Sequence, residues 1–202
     1  KYSLTVYITA KTAKHGPRLI SHLAKPFTAK EMITIGDLQV TPFFKYHDAS
    51  DPHSFVINCN GISIGVLTDI GTVCEEVIHH FKQCHAVFLE ANYDATMLEN
   101  GKYPIHLKNR IRGGHGHLSN KEALDLFITH RSPNLSHLLL SHLSKENNSP
   151  EMVEALFKQY ANGITIAIAY RHRATEIFSI SQGTNNHAIS KVSSSLQLGL
   201  FE

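Results

Sequence analysis

The sequence predicts an α/β protein of the α+β kind, built as layers of sheet and helix around one core. Three observations predict this class. Strand-like apolar runs come first, strands and helices alternate after about residue 73, and two of the helices begin at clear capping residues. Two sheets covered by helices on their outer faces would bury these runs. A length of 202 residues suggests one domain.

The first third of the chain has the patterns of β-strands. Strands are predicted over residues 3–9, over 31–46 as a pair, and over 54–68 as a hairpin. The turn of the pair lies at Gly36 and Asp37, and the turn of the hairpin at Asn60 and Gly61. Asn-Gly is a strong signal for a tight type I′ turn, because both residues tolerate a positive φ.

The remainder of the chain alternates between helices and strands. Helices are predicted over 73–82, over 93–112 with a break near Gly101 and Pro104, from Ser119 or Asn120 to about Thr129, and from Ser149-Pro150 to about Tyr160. Strands are predicted over 85–91, 137–143, 164–170 and 175–180. Serine and asparagine accept hydrogen bonds from the first free N–H groups of a helix, and proline fits its first turn.

Composition narrows the class of protein. The chain is 42% hydrophobic and 18% charged, which is ordinary for a protein with a real core. No apolar run is long enough to span a membrane, so no membrane partner is expected. The three cysteines form no even framework, which favours reduced thiols and a cytoplasmic location. The net charge of +2 permits a polyanionic partner without requiring one.

Histidine is the unusual residue, with fifteen copies, and two of them stand with an aspartate at strand ends. His47 follows TPFFKY, Asp69 follows ISIGVLT, and His142 lies in LLLSHLSKENN. Strand ends bring distant side chains to one rim of a sheet, and His nitrogen and carboxylate oxygen are ligands of zinc and manganese. Each residue also has a plainer interpretation, since a single His is more often structural and Asp69 could cap a helix.

Five sequence motifs resemble those of a known family. HDASDP, VLTDIG, FLEANYDATMLENGKYP, GHLSN and HLSKENN resemble the metallo-β-lactamase-fold hydrolases of the YycJ/WalJ (VicX) type. The resemblance covers residues 1–180 and implies an αββα sandwich with two divalent metal ions, zinc or manganese with iron as a further candidate. It implies that His47 is a metal ligand, that Asp69 bridges both ions, and that His142 is the last ligand.

The stretch GGHGHLSN, residues 113–120, looks like a metal motif but lacks its last two ligands. The resemblance implies that the true His-x-His-x-Asp-His motif lies ahead of Lys1, so we expect the chain to be N-terminally incomplete and inactive alone. It also implies that His117 faces the scissile phosphate as a proton donor and that Glu90 orients it. The plainer alternative is a helix-entry histidine with local hydrogen bonds.

Basic residues crowd the stretch before this motif. Lys108, Arg110 and Arg112 stand beside the expected proton donor, which favours contacts with a phosphate backbone. A solvated helix face explains the same charges equally well.

The end of the chain, residues 181–202, is predicted to be a flexible linker with a binding tail. Residues 181–195 are rich in Ser, Asn and Gly. Gln197, Leu198, Leu200 and Phe201 resemble the QLxLF peptide by which bacterial repair proteins bind the DNA polymerase sliding clamp. The alternative is a C-terminal strand that packs on its own domain.

The resemblance implies a DNA exonuclease, acting from 5′ to 3′ in mismatch repair, and the clamp-like tail agrees with this. One alternative is a phosphodiesterase of the same fold that acts on RNA or on a small molecule. Another is a non-enzymatic interaction module, if the first metal motif is absent from the natural protein. The sequence allows a homodimer and does not decide the metal.

Overall fold

One mixed β-sheet organises residues 3–15 and 22–181, the part of the chain that the computed structural model describes. The strands in chain order are β1 (Val6–Ile8), β2 (Ala24–Pro26), β3 (Ile33–Ile35), β4 (Leu38–Phe44), β5 (His53–Cys59), β6 (Ile62–Leu67), β7 (Ala86–Glu90), β8 (His137–Ser141) and β9 (Thr165–Ile168). The sheet contains β3 to β9 side by side in chain order, while β1 and β2 form a separate parallel pair.

The direction of the strands decides where their ends meet. Neighbours from β3 to β6 are antiparallel, and neighbours from β6 to β9 are parallel. Strand β4 therefore runs in the same direction as β6, β7, β8 and β9. The carboxyl ends of these five strands lie along one edge, which we call the carboxyl rim.

The connections follow from local chemistry. Asn60 and Gly61 have φ angles of +49° and +77°, as the predicted tight turn between β5 and β6 requires. Parallel neighbours need longer crossovers, and helices supply them. The helices are α1 (Ala10–His15), α2 (Glu75–Phe81), α3 (Ala95–Asn100), α4 (Ile105–Arg112), α5 (Asn120–His130) and α6 (Pro150–Lys158). Ser119 forms a capping box with Glu122 at the start of α5.

Helices α2, α5 and α6 bury one face of the sheet. Leu67, Leu89 and Leu140 lie opposite one another on β6, β7 and β8, and all three are fully buried. Phe127 of α5 and Phe157 of α6 pack over them with ring centroids 5.8 Å apart. Burial of each such side chain contributes about 1.5–3 kcal/mol, which fixes the helices on this face and the register of the strands.

The opposite face of the sheet is also apolar but less deeply buried. Phe55, Ile64 and Phe88 lie on it with intermediate exposure. Phe27, which follows β2, packs edge-on against the ring of Phe55 at 6.0 Å, and Phe178 packs against His137 at 5.3 Å. The seven-stranded sheet is therefore one layer of the expected sandwich, and the segments after β2 and β9 lie against its second face.

Most predicted elements are confirmed, and one prediction is wrong. Residues 175–180, predicted to be a strand, form no strand, and the chain is irregular from residue 169 to 181. Strand β9 ends the sheet, and this segment packs Phe178 on His137 instead of pairing with β9. Helix α1 and strand β2 were not predicted, because residues 10–30 have no clear apolar period.

Across the described residues, every helix is too short or too polar to cross a lipid bilayer.

Buried asparagines join the loops at the carboxyl rim. The Asn148 amide donates to the carbonyl of Ala91 at 2.8 Å and to Oδ1 of Asn120 at 2.8 Å, and it accepts from Nδ2 of Asn120 at 3.0 Å. Ala91 lies in the loop after β7, Asn120 is the first residue of α5 and Asn148 lies in the loop after β8. The backbone N–H of Asn92 also donates to the carbonyl of Leu118 at 3.0 Å. The three loops therefore hold one another in place through buried hydrogen bonds.

We expect Asn148→Ala to lower the free energy of unfolding by about 1–3 kcal/mol, because it leaves buried carbonyl and amide groups without partners. Asn134→Ala is the matched control, since the Asn134 side chain is exposed and should change stability by less than about 0.5 kcal/mol. Urea unfolding followed by circular dichroism measures both variants. Equal stability of the two variants would contradict the role assigned to the asparagine network.

Candidate metal centre

The structure brings together the three residues that the sequence places at strand ends. His47 lies three residues beyond β4, Asp69 two beyond β6, and His142 directly after β8. Oδ1 of Asp69 is 3.7 Å from Nε2 of His47 and 3.4 Å from Nδ1 of His142. The carboxylate of Asp69 therefore stands between two imidazoles on the carboxyl rim.

Two of these residues have an unusual backbone conformation. Asp69 and His142 have φ angles of +55° and +56°, in the left-handed backbone region that residues other than glycine seldom adopt. Such a conformation costs on the order of 1–3 kcal/mol and often marks a functional site. The carbonyl of His142 is held by Nδ2 of Asn92 at 2.7 Å. The conformation turns the chain sharply at the end of β6 and of β8.

Hydrogen bonds on both sides of Asp69 hold its strained backbone. Nζ of Lys45 donates to the carbonyl of Thr68 at 2.5 Å. The backbone N–H of Ile70 donates to Oε2 of Glu90 at 2.6 Å. Burial of Lys45 lowers its pKa below the usual value. The neighbouring carboxylates of Asp69 and Glu90 favour the charged form and oppose this shift. Lys45 is not among the predicted site residues, although a lysine that follows the apolar residues of TPFFKY is a visible signal in the sequence.

Glu90 is the buried acceptor at the centre of the site. It is 0% exposed, and its Oε1 accepts N–H bonds from Nδ1 of His117 at 2.7 Å and from Nδ1 of His142 at 2.9 Å. Burial opposes the charge, but these bonds and the bond from Ile70 outweigh it, so the pKa of Glu90 is lowered. The hydrogen bond that His142 donates to Glu90 also raises the pKa of His142. Glu90 therefore stays ionised and fixes both rings.

The hydrogen bonds define which nitrogen of each imidazole is used. Nδ1 of His47 donates to the carbonyl of Gly116 at 2.8 Å, as Nδ1 of His117 and His142 does to Glu90. Nε2 of His117 and Nε2 of His142 have no hydrogen-bond partner among the residues described, whereas Nε2 of His47 lies 3.4 Å from Oδ1 of Asp48. The ring of His117 lies between the other two, with centroid distances of 5.1 Å to His47 and 5.0 Å to His142. An N–H fixed by a carbonyl or carboxylate is typical of metal-binding histidines.

The donor atoms of the site fit a divalent metal ion. Donor atoms of His47, Asp69 and His117 lie within 4.8 Å of one another, and those of Glu90, His117 and His142 form a second such group. Neutral imidazole nitrogen and carboxylate oxygen suit zinc, manganese and iron. His117 belongs to both groups, so distance alone does not separate it from the ligands. The role of His117 as a proton donor stays a prediction.

The glycines of the GGHGH stretch have a structural explanation. A Cβ atom on Gly116 would lie 2.1 Å from the carbonyl oxygen of Ile111, in the last turn of α4. A Cβ atom on Gly71 would lie 2.4 Å from the carbonyl oxygen of Gly114. The absence of a side chain at both positions therefore allows a close approach between protein backbones, which brings the loops of Asp69 and His117 together.

A cleft of about 350 Å³ opens beside His117 and His142. Of the three predicted phosphate-binding residues, only Arg110 lines it, and its guanidinium is paired with Asp48. The hydrogen bond from Arg110 lowers the pKa of Asp48, whose Oδ1 lies 3.4 Å from Nε2 of His47. The cleft is also lined by Asn92, Tyr103, Leu107, Ile111, Gly116, Leu143, Ser144, Lys145 and Arg171.

The other two predicted cations face the helix before them. Arg112 pairs with Oε2 of Glu99 at 2.7 Å and also contacts Asn109, while Nζ of Lys108 donates to the carbonyl of Glu99. Both residues lie outside the lining of the cleft. Their contact with phosphate stays a prediction. The predicted tail residues Gln197, Leu198, Leu200 and Phe201 lie outside the described part of the chain.

Comparison with known sequences gives relatives of one kind. No protein-family model matches the chain. The chain is 31% identical over 163 residues to the exodeoxyribonuclease YycJ of Bacillus anthracis, across 79% of this chain and 62% of that protein. The chain thus spans about three fifths of the length of this relative, as the 62% coverage states.

Solved structures identify the fold. The metallo-β-lactamase-fold protein YhfI from Bacillus subtilis superposes with a TM-score of 0.53 at 15% identity, over 72% of this chain and 52% of YhfI. Zn²⁺-bound PqqB from Methylobacterium extorquens gives 0.56 at 15% identity, over 81% and 62%. The chain therefore has the metallo-β-lactamase fold, and its sequence is similar to the YycJ/WalJ type of that fold.

Proposed function

We propose that the protein carrying this chain is a metal-dependent DNA exonuclease. The observation that carries the proposal is the arrangement at the carboxyl rim, where Glu90 fixes His117 and His142 beside Asp69. The similarity to a protein named as an exodeoxyribonuclease supports DNA as the substrate. Two further parts of the proposal are that the exonuclease acts in the 5′ to 3′ direction and that it serves mismatch repair. Both rest on the resemblance of the five sequence motifs to that family.

His47, Asp69 and His142 would hold two divalent ions, with Asp69 shared between them. Zinc, manganese and iron all suit this set of nitrogen and oxygen donors. When bound, the ions would activate water and neutralise charge on the phosphate.

We also propose a cytoplasmic enzyme, because Cys59, Cys74 and Cys84 are all free thiols.

His117 performs the proton transfer in this proposal. Its Nδ1 is committed to Glu90, so Nε2 is the nitrogen that can hold and release a proton at the cleft. A proton on Nε2 passes to the leaving oxygen of the phosphodiester as that bond breaks. The Glu90 carboxylate accepts from Nδ1 and so keeps the ring in this orientation before and after the transfer.

The roles of Asp69 and His117 can be separated in the product of the complete gene. We expect Asp69→Ala to lose both bound metal and DNA degradation, because one carboxylate serves two ions. His117→Ala should keep most of its metal and lose turnover by about 10²–10⁴-fold, as expected for removal of a general acid. Metal content by mass spectrometry and release of nucleotides from labelled DNA measure these effects.

The control for this pair is His130→Ala, since His130 ends α5, which leads from the carboxyl rim to the opposite end of the sheet. It should leave metal content and turnover unchanged. Equal loss of metal in Asp69→Ala and His117→Ala would contradict the assigned roles. Cleavage of RNA or of a small phosphodiester in preference to DNA would replace the exonuclease with another hydrolase of this fold.

We further propose that the C-terminal tail binds the DNA polymerase sliding clamp. A peptide of residues 195–202 should bind the clamp with a micromolar dissociation constant, which corresponds to a binding free energy of about −8 kcal/mol. Leu200→Ala with Phe201→Ala should abolish binding, because these side chains would fill an apolar pocket. Gly199→Ala is the matched control at the variable position of QLxLF and should still bind. Absence of heat of binding in calorimetry for the natural peptide would refute the proposal.

A further inference from the structure

The two cationic walls of the cleft differ in how much of their charge is free. On one wall, the guanidinium of Arg110 forms an ion pair with Asp48, and this hydrogen bond also raises the pKa of Arg110. The charge of Arg110 is therefore balanced by a carboxylate of the same protein. This wall offers a phosphate little net attraction unless the pair separates.

The other wall consists of Lys145 and Arg171. Lys145 lies in the loop after His142, and Arg171 lies three residues beyond β9, so both stand at the carboxyl rim. Both side chains are exposed, both line the cleft, and neither forms an ion pair within residues 3–15 and 22–181. Nη2 of Arg171 donates to the carbonyl of Leu143 at 3.4 Å, which connects it to the same loop. This wall therefore has unbalanced positive charge.

Neighbouring charges do not cancel this wall. Glu146 follows Lys145 in the chain but is not among the residues that line the cleft. Arg173 stacks on Tyr170 at 3.7 Å and faces Glu151, whose pKa it helps to lower, so Arg173 is not counted as part of the wall. Lys145 and Arg171 are the cations of the cleft whose charge remains available to an anion.

The position of the two charges indicates the kind of anion. Both lie beside His142, at the edge of the candidate metal centre, and not among its ligand atoms. A phosphate held at the centre would leave them free, whereas a nucleic acid strand presents further phosphates on either side of the one that is cleaved. We propose that Lys145 and Arg171 hold the backbone phosphate of a DNA strand next to the scissile phosphodiester. This inference rests on the proposed function.

The test uses the product of the complete gene and a fluorescent single-stranded oligonucleotide in EDTA, which prevents cleavage. Anisotropy titrations between 50 and 200 mM salt give the affinity and its salt dependence, the range over which phosphate contacts are resolved. Lys145→Ala with Arg171→Ala should weaken binding about tenfold and reduce the slope of log K against log salt by about 1.4, since each lost contact to a single strand contributes about 0.7.

Two further variants make the result specific. Lys82→Ala with Lys158→Ala removes the same charge at the ends of α2 and α6, far from the carboxyl rim, and should leave the slope unchanged. Lys145→Arg with Arg171→Lys keeps the charge and should restore most of the affinity. Wild-type affinity and slope in the double alanine variant, or the same loss in the distant control, would overturn the proposal.

Hydrolysis of bis(4-nitrophenyl) phosphate separates this inference from the proposed function. The compound has one phosphate and cannot extend to the wall formed by Lys145 and Arg171. The double alanine variant should therefore hydrolyse it at a rate within about twofold of the wild type, because the substitutions remove only contacts to a longer strand. A wild-type protein that hydrolyses neither DNA nor this compound would refute the nuclease. The binding measurement in EDTA would then still decide whether the wall holds DNA.

Discussion

The buried carboxylate of Glu90 is the interaction on which the site depends. A charge without exposure to solvent is tolerated only when donors surround it, and Glu90 receives three N–H bonds, from Ile70, His117 and His142. The donors come from the ends of three different segments, after β6, before α5 and after β8. Satisfying one charge therefore fixes the relative positions of the loops that carry the candidate ligands.

The sheet and the asparagine network make this arrangement possible. Because β4 and β6 to β9 share one direction, their carboxyl ends lie on one rim, and the side chains that follow them meet there. Asp69 and His142 take up left-handed backbone conformations to turn into the site, and hydrogen bonds from Lys45 and Asn92 hold the adjoining carbonyls. The buried core stabilises strain that the rim alone would not maintain.

Most elements, and the convergence of His47, Asp69 and His142, could be predicted because they depend on local sequence patterns. Ser119 and Ser149 are N-cap residues that mark the start of helices, and the ends of parallel strands share one rim of the sheet. Other features depend on contacts between distant residues. The pairing of Arg110 with Asp48, 62 positions apart, and the free charge of Arg171 have no local signature. Residues 175–180 have strand-like composition but lack a strand partner.

The most direct test of the central role of Glu90 is the free energy of unfolding of Glu90→Gln, measured by urea denaturation. Glutamine has nearly the same volume but one acceptor oxygen, so it cannot accept from Ile70 and from both histidines. We predict a loss of at least about 2 kcal/mol, the cost of buried donors left without partners. The control, Glu154→Gln on the surface of α6, should be close to neutral. Wild-type stability in Glu90→Gln would contradict the account.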